Sequence, residues 1–307
     1  MSLRLPVLNV WLRMTLKWPL SWIKEPATAR RLFEFVARHA FRPPQGTHFV
    51  EDRIPARWGE IPALWASCGR PDRRRIVVYL HGGAYIMGSI ATHRHIAAEI
   101  AKAADARVLL PEYRLAPEHP FPAAVEDALD IYRHLLASGY RACEIALAGE
   151  SAGGGLVFAL LLALQAEGLP PPAALVGYSP WADMTMTADS IRRNARREVM
   201  IPVSRWADVI GFIHHGTDPA DPLASPARGR FEAPPPAFIT ASRAEALADD
   251  ATALANALRA GGGDVRLEYA ARTPHAWPIM TRILPEADRA VARTGAFLKA
   301  QFEAAQR

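Results

Sequence analysis

Two hydrophobic periods alternate along most of this chain. Short apolar runs such as Ile76-Val77-Val78-Tyr79-Leu80 and Ile145-Ala146-Leu147-Ala148, bounded by charged residues and glycine, read as buried strands. Longer stretches such as 122–137 and 152–167 repeat their apolar positions every three or four residues and read as helices. The pattern predicts strands over 48–54, 61–67, 76–80, 107–112, 145–149, 174–179, 236–241 and 265–270, the first two as an antiparallel start. Helices are predicted over 93–103, 122–137, 152–167, 249–260 and 286–306, with Gly261-Gly262-Gly263 as a stop. Strands alternating with helices imply an α/β fold: an eight-stranded, mostly parallel sheet with helices on both faces.

Two segments fall outside this alternation. Residues 1–23 are rich in Leu and Trp but interrupted by Arg4, Pro6, Asn9, Arg13 and Lys17, so they are expected to form neither a signal peptide nor a membrane span. Arg13, Lys17, Ser21 and Lys24 recur at helical spacing opposite Trp11, Trp18 and Trp22, which predicts an amphipathic helix broken at Pro19. Its apolar side is expected to lie on the domain's own surface, with peripheral membrane contact as the alternative. The stretch 182–235 is too long for a simple connection, and its helix over 204–215 points to an insertion. The expected organisation is a set of N-terminal cap helices over 1–45 and an α/β domain over 46–307 with an inserted cap segment at about 182–235. Together the two caps would roof the carboxyl edge of the sheet, where such folds bind ligands.

Composition narrows the partners. With 307 residues and 50% hydrophobic content the chain can bury a large core. The net charge of +5 comes from arginines spread along the sequence. The densest run, Arg73-Arg74-Arg75, has no interleaved aromatics and reads as a solvated loop, which argues against a nucleic-acid partner. Cys68 and Cys143 match no metal spacing and are expected as free thiols in a reducing compartment, the cytoplasm. His214-His215 lacks further ligands at metal spacing and reads as a solvated helix end, so no metal is expected. A homodimer is left open.

The chemistry concentrates in four places. Gly149-Glu150-Ser151-Ala152-Gly153 sits between an apolar strand and an apolar helix, the setting in which a sharp turn exposes a serine hydroxyl as nucleophile. His81-Gly82-Gly83 directly follows a strand and has the form of an oxyanion loop; backbone N–H groups of Gly82, Gly83 and Ala152 are the expected donors to the developing oxyanion. His81 itself is expected to fix the loop. His275 lies in a short loop after the last strand, where the base of such a triad belongs. For the acid, Glu245 follows strand 236–241 in a loop, whereas Asp249 and Asp250 fall at a helix start, where carboxylates have a capping or dipole role. Glu245 is therefore the expected partner of His275. Tyr85, Trp181, Trp206, Phe212 and Trp277 are candidate substrate-pocket residues, each also suited to a core.

At the level of longer motifs the chain resembles the bacterial hormone-sensitive-lipase-like esterases of the α/β-hydrolase fold. The resemblance runs through His81-Gly82-Gly83-Ala84-Tyr85-Ile86-Met87-Gly88-Ser89, Tyr113-Arg114-Leu115-Ala116-Pro117-Glu118-His119-Pro120, Ser179-Pro180-Trp181-Ala182-Asp183, Glu245-Ala246-Leu247-Ala248-Asp249-Asp250 and Thr273-Pro274-His275. It covers nearly everything from residue 48 onward. The resemblance implies a serine carboxylesterase acting on short to medium acyl esters beneath a helical cap, without a cofactor; Arg114 and Glu118 would tie a turn. Three positions depart from the family pattern: Ala84 in place of a third glycine, Glu150 in place of aspartate beside the nucleophile, and Glu245 in place of an aspartate acid. A branch containing terpene ε-lactone hydrolases and acetyl hydrolases is also similar, which extends the expected substrates to lactones and N- or O-acetyl groups. The non-enzymatic alternative is a small-molecule receptor on the same fold, but such receptors resemble esterases that have lost the triad histidine, and His275 is present.

Overall fold

The central strands are apolar on both sides, and the chain covers both. In the computed structural model, which describes residues 2–305, eight strands form one sheet. They are β1 (Thr47–Ala56), β2 (Gly59–Cys68), β3 (Ile76–Leu80), β4 (Arg107–Pro111), β5 (Ile145–Glu150), β6 (Ala174–Tyr178), β7 (Ala237–Ser242) and β8 (Val265–Ala270). Their order is β1-β2-β4-β3-β5-β6-β7-β8. The pairings of β2 with β1 and β4 are antiparallel and the rest parallel. The expected mostly parallel α/β sheet is thus present.

The helices are α1 (Arg4–Leu12), α2 (Trp18–Trp22), α3 (Pro26–Ala40), α4 (Ile90–Ala104), α5 (Ala123–Ala137), α6 (Ser151–Ala166), α7 (Asp189–Asn194), α8 (Trp206–His214), α9 (Ala248–Ala260) and α10 (Pro285–Ala304). Successive side chains of a strand point to opposite faces, and β3 shows the consequence. Ile76, Val78 and Leu80 join a core with Leu129 of α5, Leu156 of α6 and Leu254 of α9. Val77 and Tyr79 join a second core with Ile96 of α4 and Leu298 of α10. Full burial of each such side chain contributes roughly 1.5–3 kcal/mol, so losing either face would unfold the sheet.

The N-terminal segment departs from its expected form in two ways. Pro19 does not break the helix: α1, a π-helical turn at Arg13–Lys17 and α2 run on continuously, with Pro19 in the first turn of α2. The widened turn ahead of Pro19 makes room for a ring that would clash with the carbonyl four residues back. The buried face is also not the tryptophan face. Leu5, Leu8, Leu12 and Leu16 pack into the second core, while Trp11, Trp18 and Trp22 are exposed. The leucines keep a stricter three-and-four spacing than the tryptophans, which makes theirs the continuous stripe.

From α3, Arg30 donates to the carbonyls of Ile86 (2.6 Å) and Ala116 (2.7 Å) and to both carboxylate oxygens of Glu118. Glu118 therefore fastens the N-terminal helices to the segment between β4 and α5, rather than tying a turn with Arg114, and the Ile86 carbonyl fastens them to the loop after β3. Arg114 instead grips Asp127 and Glu126 of α5. Between β6 and β7 lie α7, a 3-10 turn (Val203–Arg205) and α8. His214, expected to be solvated, is buried, with its ring nitrogens on Thr217 Oγ1 (2.9 Å) and Met184 Sδ (3.0 Å). It is the apolar side of α8 that carries it inward.

Candidate active site

β5 ends at Glu150 and α6 begins at Ser151, which sits at φ +55°. A non-glycine residue in that region is strained, and here the strain places the serine at the apex of a strand-to-helix turn. The turn is tight because α6 presses on β3: a Cβ at Gly153 would lie 2.1 Å from the carbonyl oxygen of Leu80. Only glycine permits that approach.

His275 and Glu245 meet from loops after the last two strands. His275 Nδ1 is 2.9 Å from Glu245 Oε2, and Glu245 Oε1 accepts from the Ser242 amide at 2.9 Å. Both side chains are buried. The histidine loop is pinned at two points, by Ser242 Oγ donating to Thr273 O (2.6 Å) and by the Ala276 amide donating to Ser179 Oγ (3.0 Å). The acid loop is held from outside the sheet: Asn194 Nδ2 donates to the carbonyls of Arg243 (3.0 Å) and Glu245 (2.8 Å), and Glu198 Oε2 accepts from the Ala246 amide (3.0 Å). Sequence reasoning missed Ser179, Asn194, Glu198 and Ser242, since single polar residues far apart carry no spacing signal. Burial alone would lower the His275 pKa, but the hydrogen bond and charge of Glu245, with Glu198 and Glu150 adding, raise it above the ordinary 6.5. Its other ring nitrogen, Nε2, is buried without a protein partner.

The two rival acids are engaged elsewhere, and not in capping their own helix. Asp249 accepts from the Ser190 amide (2.8 Å) and pairs with Arg193. Asp250 Oδ2 accepts from the amides of Ala182 and Asp183, each at 3.0 Å. Both hold the segment between β6 and β7 onto α9.

The loop after β3 is organised by Glu150. Its carboxylate is buried and accepts from Tyr79 Oη (2.5 Å), His93 Nε2 (2.8 Å) and the Gly82 amide. Burial pushes its pKa up, but these donors and the charge of His93 outweigh burial and leave it lowered. The consequence corrects one expectation: the Gly82 N–H, assigned from sequence to the oxyanion hole, is committed to Glu150. Glycine is needed at 82 for this approach, because a Cβ would fall 2.6 Å from Glu150 Oε1. The amides of Gly83, Ala84 and Ala152 donate to no described protein group. His81 is fully buried, stacked between Tyr113 and His93, with Nδ1 on Gly82 O at 2.9 Å. Burial pushes its pKa down to about 4, so it stays neutral and serves the loop.

Ser151, His275, Gly83 and Ala84 all line one cavity of about 140 Å³. Of the candidate pocket residues, Trp181, Trp206 and Phe212 line it, the two tryptophans stacked with ring centroids 6.4 Å apart. Tyr85 and Trp277 do not. Tyr85 packs under Trp181 and faces a separate crevice, and Trp277 belongs to the core on the other face of the sheet. The N-terminal segment and the β6–β7 connection add a mostly apolar wall, including Leu16, Leu20, Phe33, Met200 and Val209, with Lys24, Glu25 and Arg205 among it. No motif or spacing marks these positions in the sequence.

A strained serine at a strand-to-helix turn, with a carboxylate-held histidine on the same cavity, defines a serine hydrolase of the α/β class. Comparison with known proteins agrees. A family model described as α/β hydrolase fold matches residues 77–279. The chain is 42% identical over 241 residues to an acetyl-hydrolase of Streptomyces hygroscopicus, covering 78% of this chain and 80% of that protein. It is 32% identical to the acetyl-hydrolase LipR of Mycobacterium tuberculosis, a relative whose name is itself provisional, over 86% of this chain and 84% of that one. A crystal structure of an esterase from the bacterial hormone-sensitive lipase family superimposes with a TM-score of 0.92 at 38% identity, covering 98% of this chain and 99% of that chain. The chain belongs to the hormone-sensitive-lipase-like serine esterases of the α/β-hydrolase fold.

Proposed function

We propose that this protein hydrolyses carboxylic esters with short to medium acyl groups through an acyl-enzyme on Ser151. The ester carbonyl enters the cavity, and Ser151 Oγ attacks it while His275 Nε2 takes the serine proton. Glu245 holds the Nδ1 proton, fixing the tautomer that leaves Nε2 free to accept, and stabilises the imidazolium that forms. Free amides of Gly83, Ala84 and Ala152 receive the oxyanion. His275 then protonates the departing alcohol, and water, deprotonated by His275, releases the acid. The observation that carries this reading is the buried 2.9 Å pair of His275 Nδ1 with Glu245 Oε2, leaving Nε2 unpartnered on the cavity that Ser151 shares.

The size of the cavity favours small acyl groups. A space of about 140 Å³ is close to the engineered cavities of about 150 Å³ that accept benzene. A second reading, removal of acetyl groups in particular, is supported by the likeness to the Streptomyces acetyl-hydrolase. Rates on p-nitrophenyl esters from acetyl to hexadecanoyl, with a lactone panel and an N-acetyl substrate alongside, separate the two. The reading expects kcat/KM to peak at short chains and fall by hexadecanoyl. A preference for hexadecanoyl over butanoyl would overturn it, and turnover confined to acetyl substrates would establish the second reading instead.

A further inference from the structure

The N-terminal helix has a second apolar face that nothing in the described structure covers. Val7, Trp11, Met14, Trp18 and Trp22 follow one another at three- and four-residue steps with Val10 beside them, and each of the six is more than a third exposed, Trp22 by 84%. The opposite face is already spent on the core through Leu5, Leu8, Leu12 and Leu16. Single exposed apolar residues are ordinary, but a contiguous stripe containing three tryptophans marks a contact surface.

Charge decides which contact. Residues 1–24 contain Arg4, Arg13, Lys17 and Lys24 and no acidic residue. Arg13 Nη2 donates to the carbonyl of Arg196 (3.0 Å), and Lys17 Nζ to those of Ala195 (3.2 Å) and Glu198 (2.6 Å), so the turn after α7 abuts the helix. On that turn Arg196 and Arg197 are exposed. A two-fold contact between copies through this stripe would bring both basic rims together, which is unfavourable. An anionic lipid surface satisfies both parts: the tryptophans seat at the headgroup level and the arginines meet lipid phosphates. No helix among the described residues is long and apolar enough to cross a membrane, so the contact lies in the plane of the surface.

We propose that the α1–α2 helix docks this protein on anionic lipid surfaces, with the apolar stripe inserted and the Arg13–Arg196–Arg197 rim against the headgroups. Leu16, Leu20 and Ile23 of the same segment line the Ser151 cavity, so docking would set its wall beside the lipid. That last point rests on the esterase reading; the docking itself does not.

Flotation with vesicles tests it, using phosphatidylcholine alone and phosphatidylcholine mixed with phosphatidylglycerol, for the full-length protein and for a V7S/W18S/W22S variant. The expected result is flotation with the phosphatidylglycerol vesicles, weak flotation with phosphatidylcholine alone, and at least about tenfold less bound protein for the variant. The variant should hydrolyse p-nitrophenyl acetate in solution at an unchanged rate, which shows that it is folded. No flotation, equal flotation on both vesicle types, or flotation that survives the triple substitution would each overturn the proposal. So would a stable dimer that the variant converts to monomer without any vesicle binding.

Discussion

At Glu245 one atom separates orientation from packing. Glu245→Gln keeps the oxygen that can accept from the Ser242 amide but places an amide NH₂ where His275 Nδ1 now finds a carboxylate. The wrong tautomer then becomes favoured, and turnover should fall on the order of ten-thousandfold by analogy with the aspartate of other serine triads, with the thermal midpoint little changed. Asp249→Asn, whose carboxylate binds Ser190 and Arg193, should retain turnover. A dead but folded Asp249→Asn beside an active Glu245→Gln would refute the assignment. The same pair sets a pH limb. His275 accepts the serine proton only when neutral, and Glu245 raises its pKa above 6.5, so kcat/KM should climb with pH through a midpoint above that value. The stability from the charged pair runs the other way: it is complete below the unfolded imidazole pKa and lost as pH rises through the folded one. A midpoint below 6.5 would mean that burial, not Glu245, dominates.

At the scale of elements, the loop bearing Glu245 is held by a segment that does not belong to the sheet. Asn194, at the end of α7, carries two carbonyls of the acid loop, so Asn194→Ala should cost about 1–3 kcal/mol of stability and lower kcat more than it raises KM, as measured by denaturation and steady-state kinetics. An unchanged kcat would show that the acid loop keeps its form unaided. Asp250 gives the second element-scale test. Burial, together with the charges of Asp183 and Glu245, pushes its carboxyl up to about 7 despite two amide donors. A raised acid keeps its proton in the folded state where the unfolded chain has lost it, so stability falls as pH rises from the ordinary carboxylate range to about 7. Asp250→Asn removes that loss, and its thermal midpoint should improve relative to the parent as pH rises from about 4 to about 7. A constant difference would contradict the placement. Strand periods and the Gly149–Gly153 turn were legible in the sequence because each is a local, repeated pattern. The commitment of the Gly82 amide to Glu150 was not: it depends on a side chain 68 positions away.

Over the whole molecule, the sheet and its two cores were readable from periodicity, and the serine, histidine and acid candidates from their places after strands. The cavity was not. Tyr85 and Trp277 looked like pocket aromatics yet turn into other surroundings, while Leu16 and Leu20, which no motif marks, form a wall of the Ser151 cavity. The N-terminal helix misled for a related reason: it has two apolar faces, and composition alone does not say which one meets the domain. These features join in one claim, that Ser151, activated by His275, is the single nucleophile of the enzyme. Intact-mass and peptide mass spectrometry after reaction with a sulfonyl fluoride tests it most directly. The account predicts one sulfonyl group per chain, located on Ser151, accumulating in step with loss of esterase activity and absent from an inactive, folded Ser151→Ala protein. Inactivation with the label on another residue, or full labelling of Ser151 with activity retained, would contradict it.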